Sequence, residues 1–362
     1  MGKVGLVARH QTPEMGAGDA GLFIDESATQ ITPDVEPSQD AEIAVEQRRI
    51  LSQRRYRDIG QIIKYEVKLA DGTAYREQRC MPNEQRYDRG VTITTPWCTR
   101  IPGFNTDLQK QLAAEGIASD LVGPPRPVID RNTLRNIPNA VRLETDAAVQ
   151  QQLFTNAAED GMFKSDEALA TGYSRGAMMI WGLTANEQDY GRNIRYFDAN
   201  DPCLVRKVRI GDVDPREGRT YTYVPREIMA AFSAIGKHSI EEMLHLPQSI
   251  DVSPRGILEN VATGFALFKG QAGELLKQVP RDKVGTVRLY ERSMFNHAEE
   301  LYDVLNDHPH ITIYDRRGYH LSGMSPRVRM AAVKRIVTAQ EALANDHPLE
   351  QIDFTMPYSD QQ

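Results

Sequence analysis

A short apolar run, Ala168-Leu169-Ala170-Thr171, passes without a break into Gly172-Tyr173-Ser174-Arg175-Gly176. A helical stretch from 177 to about 187 follows, carrying Ala177, Met178, Met179 and Trp181. Few arrangements satisfy such a segment. A serine on a sharp strand-to-helix turn takes a strained backbone conformation, and side chains two residues to either side would collide. Glycine at 172 and 176 removes the collision. The turn then points the Ser174 hydroxyl outward at the end of a strand, beside a helix N-terminus that favours developing negative charge. A strand that feeds a helix in this way belongs to a parallel sheet covered by helices.

The rest of the chain has the same texture. Ile62, Ile63, Tyr65, Val67 and Leu69 predict a strand, Asp71-Gly72 a hairpin turn, and Thr73 to Arg79 the returning strand. Val91 to Thr95 is a β-branched third strand ended by Pro96. Helices are predicted over Thr106 to Glu115 and Thr145 to Ala158, and further strands over Ile117 to Val122, Ile194 to Phe197, Val284 to Tyr290 and Ile311 to Tyr314. A helix is predicted over His297 to Leu305, and a last one opens with Ser325 as its cap and Pro326 at its first position. Alternation fails between 212 and 280, where only helical patterns stand, among them one from Ser253 to about Lys277. The fold class expected is therefore α/β, a mostly parallel doubly wound sheet with an inserted helical cap. The domain reading is an N-terminal arm and helix over 1–60, a core over 61–211 and 281–350, a cap over 212–280 and a tail over 351–362.

Residues 11 to 40 carry Pro13, Pro33, Pro37 and several acids with few large apolar residues, the composition of a poorly ordered arm. Residues 39 to 57 are expected to be helical, with Arg48, Arg49, Arg54, Arg55 and Arg57 crowding its end. The reading preferred is a solvated helix with cations where the dipole favours them, rather than a nucleic-acid or membrane-surface patch. The chain's formal net charge of −7 gives such a patch no support. No apolar run approaches the ~18 residues that span a bilayer. Lys3 is not followed by an apolar region, so no secretory signal is expected. Cys80, Cys98 and Cys203 form no CxxC and cannot all pair, which suits a reducing, cytoplasmic compartment.

A serine nucleophile needs a base. His320 stands just past the last predicted strand and before the last helix, on the same sheet edge as Ser174, and is the candidate. An acid should orient it. Glu291 follows the Val284 to Tyr290 strand; Asp198 and Asp201 follow the Ile194 strand; Glu291 is favoured, with Asp198 as the alternative. Two backbone N–H groups should hold the oxyanion: Arg175, next to the nucleophile, and Trp97 or Cys98 in the loop after the third strand. Cys98 has no histidine near it in sequence and is not read as a rival nucleophile. His238 and His245, seven apart with Glu241 and Glu242 between them, are read as a solvated helix face, with no metal expected. His308 and His310 flank Pro309 in a loop and are given no chemical part.

From about 61 to 345 these residues resemble the α/β-hydrolase superfamily, the capped serine hydrolases of esterase or lipase type. The resemblance is carried by the hairpin, the third strand with its loop, the elbow Gly172 to Gly176, the helical cap, the late strand and His320 before the final helix. It implies that Ser174 attacks an acyl carbon, that His320 acts as base and then acid, and that water hydrolyses an acyl-enzyme. Two positions depart from the family pattern. Thr95-Pro96-Trp97 stands where a His-Gly pair is usual, and the slot usually held by an aspartate after the late strand falls near Ser293. The expected function is hydrolysis of an ester, thioester or amide. The partner expected is a small molecule with a hydrophobic acyl or alcohol group, and neither cofactor nor nucleic acid. A non-catalytic binding protein on the same fold, or an acyltransferase using the same three residues, remain the alternatives. Oligomeric state is not legible.

Overall fold

The computed structural model describes residues 45–95, 104–126, 143–185, 193–204, 271–290, 293, 299–316, 323 and 325–355. All belong to one compact unit spanning Ile43–Gln362. The segments 1–44 and 205–270, and with them the expected arm and most of the expected cap, lie outside the described residues.

The sheet opens with β1 (Val45–Tyr56), β2 (Gly60–Leu69) and β3 (Ala74–Pro82), which pair antiparallel in sequence order. The β2–β3 hairpin turns where Asp71-Gly72 predicts it. Gly72 takes φ +81° and its N–H donates to the Leu69 carbonyl. There follow β4 (Gly90–Thr94), α1 (Phe104–Ala114), β5 (Ser119–Val122), α2 (Leu143–Glu159), β6 (Glu167–Tyr173), α3 (Arg175–Ala185), β7 (Asn193–Asn200), α4 (Gln271–Gln278), β8 (Val284–Tyr290), α5 (Glu299–Asn306), β9 (Ile311–Arg316) and α6 (Pro326–Ala344). The nine strands run in the order β1-β2-β3-β5-β4-β6-β7-β8-β9. β5 joins β3 antiparallel, and every pairing from β5 through β9 is parallel.

Alternation along the strands assigns the layers. Ala168 and Ala170 of β6 pack into a cluster with Phe154, Met178, Trp181, Leu275 and Leu301, which brings α2, α3, α4 and α5 to one face. Leu169 points the other way, into a cluster with Leu108, Leu112, Val333 and Ile336, which brings α1 and α6 to the opposite face. The last helix begins as its sequence requires: the Ser325 hydroxyl accepts from the Val328 N–H, and Pro326 stands at the first turn. Strand order reverses at β4. The chain steps from β4 out to β5, then returns past it to β6, so the carboxyl ends of β4 and β6 form the crevice where such sheets bind ligands.

Two expectations change. Residues 45 to 56 are an edge strand, not part of a helix. The strand carries β-bulges at Glu46 and Leu51, where its register with β2 slips. Each bulge shifts the two-residue alternation by one. Half-buried positions consequently fall at 45, 48, 52 and 56, a spacing of three and four that imitates a helix. Second, Gln271–Gln278, read as the end of the cap, buries Leu275 and Leu276 in the α3 layer of the core.

Candidate functional site

Ser174 is the hinge between β6 and α3. It takes φ +59°, a left-handed conformation that costs a residue with a Cβ about 1–2 kcal/mol. The surroundings hold it there. A Cβ on Gly172 would lie 1.9 Å from the Thr94 Oγ1, and one on Gly176 would lie 2.3 Å from the Thr94 carbonyl oxygen. Both glycines are thus required by the close approach of β4. Thr94 completes the contact by donating its hydroxyl to the Gly176 carbonyl at 2.5 Å. From the other side the Ser174 N–H donates to the Asn200 carbonyl of β7 at 2.9 Å. The side chain is 3% exposed, with its Oγ 3.5 Å from the Cys203 Sγ.

Arg175 turns its guanidinium inward. It binds the Asp146 carboxylate of α2, which also accepts from the Tyr75 hydroxyl of β3 at 2.9 Å. All three side chains are buried. Burial raises the Asp146 carboxyl above its ordinary range even with the Arg175 charge beside it. Burial, and then the Asp146 charge, drive the Tyr75 hydroxyl well above 10. The residue that follows the serine is therefore anchored to two other elements of the fold.

The carboxylates separate clearly. β7 runs on to Asn200, three residues beyond its predicted end, so Asp198 lies inside the sheet between Thr171 and Thr286. One of its oxygens accepts from the Thr286 hydroxyl at 2.7 Å and from the Arg335 Nε of α6 at 2.8 Å. Burial works against its charge, but Arg335, Arg288 and Thr286 outweigh it and hold the carboxyl below the ordinary range. Asp198 is occupied by an ion pair within the core. Asp201 is the first residue past the strand. It takes φ +47° and is fully buried. Its carboxylate accepts from the Ser293 hydroxyl at 2.7 Å and from the Tyr290 N–H at 3.3 Å. Ser293, just past β8, thus touches a carboxylate supplied by the neighbouring strand end. The sequence places both Asp198 and Asp201 after a strand ending at Phe197; because β7 runs on to Asn200, only Asp201 lies past the strand.

His320, Glu291, Trp97 and Cys98 lie outside the described residues, as do His238 and His245. Gly323, which is described, receives the Asn200 Nδ2–H on its carbonyl at 3.0 Å and packs against the Tyr173 ring. His308 bridges the Val304 and Val279 carbonyls at 2.8 and 3.0 Å, a tie between helices. Among the described residues no cluster of His, Cys, Asp or Glu is arranged to hold a metal. A cavity of about 20 Å³ lies under the elbow, bordered by Thr171, Gly172, Tyr173, Asp198 and Asn200. It has room for one water and none for an acyl chain. No helix among the described residues is long and apolar enough to cross a membrane.

The strand order, the crossing at β4 and the strained serine between β6 and α3 define the α/β-hydrolase fold, and the chain has that fold. It is shared with esterases and lipases of known structure. A lipase in its open form is similar over 78% of this chain and 99% of its own, with TM-score 0.53 and 13% identity. An acetyl xylan esterase from Paenibacillus sp. R4 is similar over 82% and 89%, with TM-score 0.51 and 12% identity. DcsB, solved with its substrate analogue, is similar over 77% and 99%, with TM-score 0.51 and 14% identity. No protein-family model matches the chain, and no curated protein matches it.

Proposed function

We propose that the chain is a serine hydrolase that cleaves an ester, thioester or amide through an acyl-enzyme on Ser174. The observation that carries this reading is the serine itself, held at φ +59° between a buried strand and a helix N-terminus by two glycines at which a Cβ would collide with β4. A fold spends that strain where a side chain must be presented.

In this reading Ser174 Oγ attacks the acyl carbon while His320 takes its proton. The oxyanion is met by the Arg175 N–H and by the N–H of Trp97 or Cys98. His320 then protonates the leaving alcohol, thiol or amine, and a water activated by the same ring frees the acid. Asp201 is the acid that orients the ring, in place of Glu291 and Asp198. It sits at the carboxyl edge beside the elbow, whereas Asp198 is engaged by Arg335. Gly323, three residues past His320 in the chain, lies against Tyr173 and supports a base arriving at this edge. The substrate proposed is a small molecule with a hydrophobic acyl or alcohol group.

The test is labelling of the purified protein with a fluorophosphonate, read by intact mass. One stoichiometric adduct that disappears in Ser174→Ala is expected, with turnover of p-nitrophenyl esters lost in the same variant. A folded protein that takes up no probe and cleaves no ester would overturn the reading in favour of a binding protein. Acyl transfer to added alcohols or thiols in preference to water would replace hydrolysis with transferase activity.

A further inference from the structure

The arginine cluster of residues 48 to 57 loses its ordinary explanation once the segment is a strand, because there is no helix dipole for the cations to complement. Two of the five are accounted for. Arg48 donates to Asp160 at 2.6 Å and covers the Tyr65 ring at 3.9 Å, and Arg49 pairs with Glu66 at 2.8 Å. Arg54, Arg55 and Arg57 are exposed and form no ion pair among the described residues. Lys64 of β2, paired with Ser52, is exposed near them, and Lys68 of β2 and Arg76 of β3 are exposed toward the other end of β1. From 45 to 82 nine basic residues face five acidic ones, in a chain whose net charge is −7. The positive charge is gathered at one end of the sheet.

The same strand carries an apolar pair. Ile50 is 57% and Leu51 40% exposed, and the one other large hydrophobic so exposed among the described residues is Met330. Leu51 is the bulged residue, pushed out of the ladder. Three partners fit a basic edge in principle. Strand addition by another chain needs a regular row of free N–H and C=O groups, which two bulges interrupt and the arginines guard. A nucleic acid satisfies arginines through its phosphates but gains nothing from Ile50 and Leu51. A bilayer surface of anionic phospholipid offers phosphate and, a few ångströms deeper, an apolar layer.

We propose that the β1 edge is a peripheral docking surface for an anionic phospholipid bilayer, with Arg54, Arg55 and Arg57 on headgroup phosphates and Ile50 and Leu51 at the acyl boundary. Guanidinium groups bind phosphate through paired N–H donors, and two aliphatic side chains anchor the contact without spanning it. Attachment is reversible and weakened by salt, because the rest of the chain is acidic and the patch is small.

The test is co-sedimentation of the full chain with vesicles of phosphatidylcholine alone and of phosphatidylcholine mixed with phosphatidylglycerol. Binding to the mixed vesicles only, released by salt, is expected. Each basic residue near an anionic surface contributes roughly five-fold to binding, so the triple variant R54Q/R55Q/R57Q should bind about 100-fold more weakly. I50S/L51S should bind mixed vesicles about ten-fold more weakly at unchanged salt sensitivity. These side chains are exposed, so both variants should melt with the parent protein. The proposal is overturned if the parent protein stays in solution with mixed vesicles at low salt, or if the triple variant binds as the parent does. It is also overturned if I50S/L51S binds unchanged while a short duplex DNA competes the protein off, since the edge would then be a phosphate reader and not a lipid contact.

Discussion

At Asp198 and Asp201, three residues apart, a difference of one strand end decides which carboxylate pairs with an arginine inside the sheet and which stands just past it. Asp198 neutralises Arg335 inside the sheet, and Asp201 receives Ser293 at its edge. The two should respond oppositely to the same change. Asp201→Asn is expected to leave melting within a few degrees of the parent and to slow ester turnover and phosphonylation of Ser174 by about 10³-fold or more, as when the orienting acid of such a group is neutralised. Asp198→Asn leaves Arg335 buried without its charge partner and should cost about 3–5 kcal/mol in denaturant unfolding, with the folded fraction still labelled by the probe. Equal loss of labelling in folded samples of both variants would contradict this assignment.

At the scale of elements, the elbow depends on β4 as much as on its own sequence. Gly176→Ala would place a methyl group 2.3 Å from the Thr94 carbonyl oxygen, so α3 must shift and the Thr94 bond to Gly176 must stretch. A loss of about 2–3 kcal/mol is expected, with slower phosphonylation, measured by thermal melting and probe kinetics on one sample. The serine was legible in the sequence because glycine spacing reports backbone conformation directly. β8 was legible to the residue because its neighbours bury both faces, leaving a β-branched and apolar segment interrupted only by Gly285 and Arg288. β1 was not legible, because its bulges fold a two-residue alternation into a spacing of three and four. The burial of Asp198 inside the sheet was not legible for a related reason. Where a strand such as β7 stops is fixed by its ladders with β6 and β8, and a single sequence does not display its partners.

For the whole molecule, buried carboxylates of opposite behaviour bound the pH range of stability. Asp198 is held below the ordinary range, so the stability it brings is present above its unfolded value and is lost as pH falls through the folded one. Asp120 of β5 is the reverse. Burial, and then the Glu77 charge, push its carboxyl well above the ordinary range, against Arg79 and Arg48. Its contribution is full in acid and declines as pH rises toward that value. Asp120→Asn removes the second limit. Its melting temperature should equal the parent's at about pH 4 and exceed it at about pH 8, while the acid limb stays unchanged. A constant difference between the two proteins across that range would show that Asp120 does not titrate on unfolding. The pairing of Asp198 with Arg335 also bears on how the chain comes into being. The two residues are 137 positions apart, and the arginine belongs to the last of the described α-helices. A chain emerging from the ribosome makes β7 long before α6, and until α6 arrives the interior carboxylate lacks the guanidinium that bonds to it. Closure of the sheet around Asp198 therefore waits on the last of the described α-helices, an element made 137 residues later in the chain.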